Sequence, residues 1–252
     1  MLAARLFLRN SVVTEGNDPG TAALRRRGSI SLTFPAGRDP YRKRPIYHVF
    51  WQLARWGAGI YFRRREAGSE HVPLDGPLIL AANHASFMDP PLIGSSCPRA
   101  ISYLGRESLF SNPVIGWFLR SVGSVPVDRD GTSGKGLKTI LDRLLRGEGI
   151  ILFPEGTRTP DGQIQAGRAG VGLIVVKSNA PVVPVRVFGT FDAWGRQSRL
   201  PRPRPVGVRF GAPMRFDAWV REAEGAERAR VKQIYQEVTD TILRAIARLE
   251  PP

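Results

Sequence analysis

The chain is poor in the residues that announce most kinds of chemistry. Its 252 residues hold one cysteine, Cys97, and three histidines, His48, His71 and His84. A single thiol excludes an intramolecular disulfide and is compatible with a reducing compartment. No Cys/His group has zinc-ligand spacing, so no metal is expected. No apolar run reaches the ~20 residues of a membrane-spanning helix. The longest candidate, residues 46–62, is interrupted by His48, Gln52 and Arg55. Residues 1–13 are broken by Arg5, Arg9 and Asn10 and lack a clear cleavage site, so no secretory signal is expected. Acids are scarce too: 22 Asp+Glu stand against 37 Lys+Arg, a net charge of +15. Such a chain favours an anionic partner, whether a nucleic acid, an anionic bilayer or a phosphorylated substrate. No Gly-x-Ser-x-Gly elbow is present, which makes Ser86 a poor hydrolase nucleophile. Residues 131–136 imitate a phosphate loop, but Gly136 stands where Ser or Thr should follow Lys135.

What is there falls into three parts. Residues 1–44 carry nine Lys/Arg and three acids without a sustained period, and read as a basic, disordered tail or a membrane-tethering arm. Residues 45–65 have helical spacing. His48, Gln52 and Arg55 form one polar stripe, opposite Ile46, Val49, Phe50, Leu53, Trp56 and Ile60. Aromatic flanks and the basic end Arg63-Arg64-Arg65 suit a helix lying in a membrane interface, and an ordinary amphipathic helix packed on its own domain is the other reading. We therefore set an amphipathic helical motif at residues 45–70 and one further domain at 71–252. In that domain apolar runs at 78–82, 100–104, 122–127, 149–153, 182–188 and 206–210 alternate with helical patterns at 132–146, 168–177 and 217–249. The alternation predicts an α/β fold, a mixed and largely parallel sheet flanked by helices.

The chemistry concentrates in short blocks after these runs. In Asn83-His84-Ala85-Ser86-Phe87-Met88-Asp89 a histidine follows a strand candidate, with a carboxylate five residues on. In a regular helix residues five apart are turned ~140° from each other. His84 and Asp89 meet only if His84 lies on the loop and Asp89 near the helix start, which Pro90-Pro91 favours. A His–carboxylate pair is general-base machinery; the plainer reading makes Ser86 or Asp89 a helix N-cap. The second block, Phe153-Pro154-Glu155-Gly156-Thr157-Arg158, also follows a strand candidate, where α/β sheets place ligands. Gly156 permits close backbone approach and Arg158 offers a fork for phosphate. Glu155 either holds that arginine or touches substrate hydroxyls; a polar turn with a surface ion pair is the alternative. Arg106, in Gly105-Arg106-Glu107-Ser108-Leu109-Phe110, stands at a third strand end, and Val183-Pro184-Val185 implies an edge, a bend or a strand start.

In this order the four blocks resemble the glycerolipid acyltransferase family, in particular its 1-acyl-sn-glycerol-3-phosphate (lysophosphatidate) acyltransferase branch. The match runs over residues 75–190. The resemblance implies an enzyme that moves an acyl group from acyl-CoA or an acyl carrier protein to the free hydroxyl of lysophosphatidate, giving phosphatidate. It implies His84 as the general base and Asp89 as its orienting partner, supported by Asn83 and Ser86. Arg106, Glu155, Gly156, Thr157 and Arg158 are implied to bind the glycerol phosphate. No bound cofactor is implied, since the thioester is itself a substrate. It further implies a peripheral or monotopic protein on the cytoplasmic face of an anionic membrane. The chain departs from the pattern at Thr159, where serine is common, and in lacking an aromatic before Arg168 and Gly170, which leaves phosphate contact by Arg168 open. The Arg-rich stretch from Arg196 to Arg215 holds no acid between Asp192 and Asp217. It reads as a contact for anionic headgroups or a carrier protein, or as a solvated surface. Acylation of another lysolipid, hydrolysis by the same His and Asp, and nucleic-acid binding are the alternatives, the last without any recognisable RNA- or DNA-binding motif.

Overall fold

A run such as Leu78–Ala82, apolar at every position, belongs to a strand covered on both faces. The computed structural model describes residues 45–127 and 135–252 and places that run inside a seven-stranded sheet. The strands are β1 (Arg65–Ala67), β2 (Leu78–Ala82), β3 (Ile101–Arg106), β4 (Ser124–Val127), β5 (Gly149–Leu152), β6 (Val182–Phe188) and β7 (Gly207–Phe210). The helices are α1 (Pro45–Tyr61), α2 (Asp89–Ser96), α3 (Pro113–Ser121), α4 (Lys135–Leu145), α5 (Gly170–Ser178), α6 (Thr190–Trp194), α7 (Asp217–Gly225) and α8 (Arg228–Ala247). The sheet order is β1-β7-β6-β2-β5-β3-β4, and every neighbouring pair is parallel except β6–β7. The expected mixed, largely parallel sheet flanked by helices is therefore what the chain forms.

The pleat of β2 divides the core. Ile79 and Ala81 face a layer built with α4, α5 and α8, and Leu78, Leu80 and Ala82 face a layer that includes α2 and Ala58 of α1. Complete burial of each such aliphatic side chain is worth about 1.5–3 kcal/mol. On the first face α5 and α8 approach backbone to backbone. A Cβ on Gly172 would stand 1.8 Å from the carbonyl oxygen of Tyr235, and the Gly172 N–H donates to Thr239 Oγ1 at 3.0 Å.

Helix α1 packs through Tyr47, Trp51 and Ala58. The Tyr47 hydroxyl donates to the Ile101 carbonyl and accepts from the Ile101 N–H. Arg55, from the polar stripe, reaches Glu66 at 2.7 Å and the Ser95 carbonyl at 3.1 Å. The apolar face is left outward: Leu53, Trp56 and Ile60 are 66%, 68% and 78% exposed. Among the described residues no helix is long and apolar enough to cross a membrane.

Several elements differ from expectation. The first helix stops at Tyr61, short of Arg65, because Phe62 and Arg65 bond to Val206 and draw the chain into the sheet edge. β1 and α3 have no long apolar period and went unpredicted. The helical pattern at 217–249 breaks into α7 and α8 at Ala226. β6 is not an edge strand. Pro184 is tolerated there because the regular β7 ladder begins only at Val185, opposite Phe210, and the chain beyond Phe210 returns to Val182 only at Met214. The tail at 1–44 and the imitation phosphate loop lie outside the described residues, Lys135 and Gly136 apart.

Candidate active site

The C-terminal ends of β2, β3, β5 and β6 share one edge of the sheet because these strands run parallel. The loops leaving β2 and β5 carry most of the expected site residues and Arg106 ends β3, at the edge where open α/β sheets bind ligands. His84 lies two residues past β2, on the loop, and Asp89 opens α2. The pair meets: His84 Nδ1 stands 2.9 Å from Asp89 Oδ2. That same oxygen accepts the N–H groups of Ala85 at 2.6 Å and Ser86 at 2.7 Å. Asp89 therefore binds back onto the loop rather than capping its own helix, and its fully buried charge is matched by three donors. A carboxylate only accepts, so Nδ1 carries a proton, and in the neutral ring that tautomer leaves the lone pair on Nε2.

The ring has a second contact, and the His84 backbone is bonded on both its N–H and its carbonyl. The Phe153 ring stacks on it at 3.9 Å between centroids, 18° from parallel. The His84 N–H donates to Glu155 Oε1 at 2.8 Å, and its carbonyl accepts from the Thr159 N–H at 2.8 Å. Glu155 is buried, and its other oxygen accepts from the Gln165 N–H at 2.9 Å. Burial pushes the Glu155 carboxyl above its ordinary value, while the N–H groups of Gln165 and His84 pull it back. Both carboxylate oxygens are thus bound to backbone. In the structure Glu155 clamps the β5 loop to the β2 loop.

The supporting residues splice the loop into the sheet. Asn83 accepts from the Val187 N–H at 2.8 Å and donates to the Val187 carbonyl at 3.3 Å, copying with its side chain the next rung of the β2–β6 pairing. Ser86 donates to the Trp194 carbonyl at 2.6 Å and accepts from the Met88 N–H at 3.1 Å. Ser86 is fully buried, which removes it as a nucleophile.

The basic residues sit at the rim. Arg158 lies over the Phe87 ring, 3.4 Å from its centroid, a cation–π seat that leaves the fork directed from a fixed plane. Gly156 and Thr157 are exposed on the same loop. Gly156 has φ of +71°, and a Cβ there would meet Arg168 Cδ at 3.1 Å, so this turn requires glycine. Arg106 is exposed at the end of β3, two residues beyond Leu104 and so on the same strand face. A cavity of about 250 Å³ opens beside His84, with Leu104, Leu152, Phe153, Val171 and Ile174 among its walls and Arg168 at its mouth. Arg168 thus lines the same cavity as His84. Phe153, Gln165 and Phe87 were missed as site residues. Phe153 could have been noticed inside the quoted motif, but nothing in a sequence marks Gln165 as the partner of Glu155. Among the described residues no group of three or more His, Cys, Asp or Glu could hold a metal ion.

Residues 63–188, half of the chain, match the family model described as Acyltransferase. The chain is 30% identical over 159 residues to "1-acyl-sn-glycerol-3-phosphate acyltransferase LPAT1, chloroplastic" of Arabidopsis thaliana, over 60% of this chain and 43% of that protein. It is 33% identical over 121 residues to the 1-acyl-sn-glycerol-3-phosphate acyltransferase of Bacillus subtilis (strain 168), over 48% of this chain and 60% of that protein. The chain spans about half the length of the plant relatives it matches. Its fold is similar to the crystal structure of the 1-acyl-sn-glycerophosphate (LPA) acyltransferase PlsC from Thermotoga maritima, with a TM-score of 0.63 and 24% identity over 82% of this chain and 81% of that one.

Proposed function

The chain belongs to the acyltransferase family, and from that premise we propose that it transfers an acyl group from an acyl thioester to the free hydroxyl of 1-acyl-sn-glycerol-3-phosphate, giving phosphatidate. The observation that carries the reading is the His84–Asp89 pair, with Nδ1 bound to the carboxylate at 2.9 Å and Nε2 left to the substrate. The acceptor hydroxyl gives its proton to Nε2 as its oxygen attacks the thioester carbonyl. The tetrahedral intermediate collapses, the C–S bond breaks, and the thiolate takes the proton back from the imidazolium. Asp89 stabilises that cation and keeps the tautomer. No acyl-enzyme forms, because the acceptor is itself the nucleophile.

Phosphate recognition falls to Arg158, held over Phe87, with Gly156 and Thr157 exposing the loop backbone and Arg106 and Arg168 adding charge at the rim. A planar fork suits phosphate better than a point charge. The apolar cavity beside His84 suits an acyl chain. The donor is acyl-CoA or an acyl-acyl carrier protein, and no bound cofactor takes part.

Residues 71–252 form the catalytic domain in this reading, and residues 45–70 attach it peripherally to the cytoplasmic face of an anionic membrane, with the basic residues 1–44 adding charge. The support is the outward apolar face of α1, which an ordinary packed helix would bury. Phe50 of α1 touches Phe118 of α3 at 5.3 Å, and α3 adds exposed Val114, Ile115 and Trp117.

The test is a product assay pairing a panel of lysolipids with both thioester carriers. Phosphatidate from lysophosphatidate is expected, falling about 10²- to 10⁴-fold in His84→Ala with the fold intact. Turnover kept in that variant would reject the mechanism. Transfer to other lysolipids alone would reassign the acceptor, and free fatty acid as the product would make the protein a hydrolase.

A further inference from the structure

The cluster Arg196, Arg202 and Arg204 is left over by the reaction just described. All three are exposed and, among the described residues, none has an ion-pair or hydrogen-bond partner for its side chain. They line one concave cavity of about 600 Å³ together with Gln197, Ser198 and a single acid, Asp192. The cavity is built rather than incidental. The Arg202 N–H donates to the Ala193 carbonyl at 2.7 Å, and the Ser198 N–H to the Gly195 carbonyl at 3.1 Å. Gly189 and Pro205 close its base so tightly that a Cβ on Gly189 would stand 2.2 Å from the Pro205 oxygen.

The wall of this cavity is hydrogen-bonded to the catalytic loop. Gly195 pairs with Ser86 as an antiparallel bridge, and Ser86 Oγ donates to the Trp194 carbonyl, two residues from His84. Trp194 in turn lies 6.0 Å from the Phe87 ring. The cavity wall is therefore joined through Gly195 and Trp194 to the loop that carries His84.

We propose that this cavity binds the phosphorylated nucleotide end of coenzyme A, with Arg196, Arg202 and Arg204 taking its 3′-phosphate and pyrophosphate. The proposal rests on the acyl-transfer reading and adds the donor site to it. Three arguments favour this occupant. Three guanidiniums against one carboxylate leave a strong excess of positive charge at short range, which matches several clustered phosphate charges rather than one. The acceptor's single phosphate already has Arg158, seated over Phe87 and outside this cavity's lining. A cavity of a few hundred Å³ is the size of a small-molecule site, whereas a carrier protein needs a broad face of roughly 800 Å² per partner. The pantetheine arm then runs past Trp194 and Phe87 and delivers the thioester to the hydroxyl at His84.

The experiment titrates coenzyme A itself into the full chain by calorimetry, alongside steady-state kinetics with acyl-CoA, acyl-acyl carrier protein and lysophosphatidate. Losing one charge-assisted phosphate contact costs about tenfold or more in affinity. The triple variant R196A/R202A/R204A should bind coenzyme A at least 100-fold more weakly and raise KM for acyl-CoA correspondingly. Its kcat, its KM for lysophosphatidate and its melting temperature should hold. Arg199→Ala, an exposed arginine outside the cavity lining, should change nothing. Dephospho-coenzyme A should bind the wild type about tenfold more weakly and the triple variant no differently from coenzyme A. Equal coenzyme A affinity in the wild type and the triple variant overturns the proposal. So does a triple variant that loses turnover only with acyl-acyl carrier protein, or one that loses only binding to anionic vesicles. A wild type that binds coenzyme A through these arginines but transfers no acyl group supports the site and sinks the acyl-transfer reading instead.

Discussion

Asp89 does more than orient a histidine. One of its oxygens collects the His84 imidazole and two backbone N–H groups, so the carboxylate holds the loop and the ring in one geometry. Asp89→Asn then has a specific outcome. The two amides demand an acceptor at that position, so the carboxamide oxygen stays aimed at Nδ1 and the imidazole tautomer is kept. Only the difference between a charged and a neutral hydrogen bond is lost, about 1–1.5 kcal/mol, or roughly tenfold in kcat with KM unchanged. Asp89→Ala, which also frees the ring, should fall about 10²- to 10⁴-fold. Rates for both variants decide the matter: a loss beyond about 10³-fold in Asp89→Asn would mean that the carboxamide had turned and reversed the tautomer. The meeting of His84 and Asp89 at a strand-to-helix junction was legible in the chain, because both lie in one short block at a strand end. The clamp role of Glu155 was not. Its partners, the N–H groups of His84 and Gln165, are backbone groups, and backbone carries no sequence signal.

At the scale of elements, the packing of α5 on α8 carries a sharp dependence. Gly172 lets the two backbones meet, and Tyr235 offers a carbonyl rather than a movable side chain at the contact. Gly172→Ala must push α8 off the sheet layer that Ile234, Val238, Ile242 and Ile246 fill. The expected loss is about 1–3 kcal/mol of stability, read as a lower denaturation midpoint, despite the better helix propensity of alanine. A midpoint unchanged or raised would show that the helices separate freely. Strand identities were readable from apolar runs, since strands buried on both faces leave an unbroken signal. β1 and the end of α1 were not. Arg65–Ala67 becomes a strand only because β7 is there to pair with it, Arg65 opposite Gly207 and Ala67 opposite Arg209.

At the scale of the molecule, charge and an outward apolar helix act together. The net charge is +15, and α1 turns Leu53, Trp56 and Ile60 away from the protein. Binding to anionic vesicles should therefore weaken as salt rises, and more weakly on neutral vesicles. The double variant L53D/W56D should lower vesicle partition about 100-fold or more, since each exposed side chain forfeits roughly 1.5–3 kcal/mol of transfer into the interface. Melting should be unaffected, because neither residue is packed. Co-sedimentation at two salt concentrations checks both points, and unchanged partition of the variant would remove α1 from the membrane contact.

Some of this was settled by residue order alone. The alternation of apolar runs and helical periods specified an α/β sheet, and the ordered blocks at Asn83–Asp89, Gly105–Phe110, Phe153–Arg158 and Val183–Val185 pointed to the acyltransferase family, because both signals are local and survive without contacts. Tertiary structure decided what depends on residues far apart. It set β2 between β6 and β5, made Glu155 a clamp between two loops, and tied the Trp194–Gly195 segment that precedes Arg196 to Ser86 on the loop that carries His84. Which side of α1 faces the protein was also decided there. The periodicity defined two faces, and only the fit of Tyr47 and Trp51 against the domain chose which one is left outward.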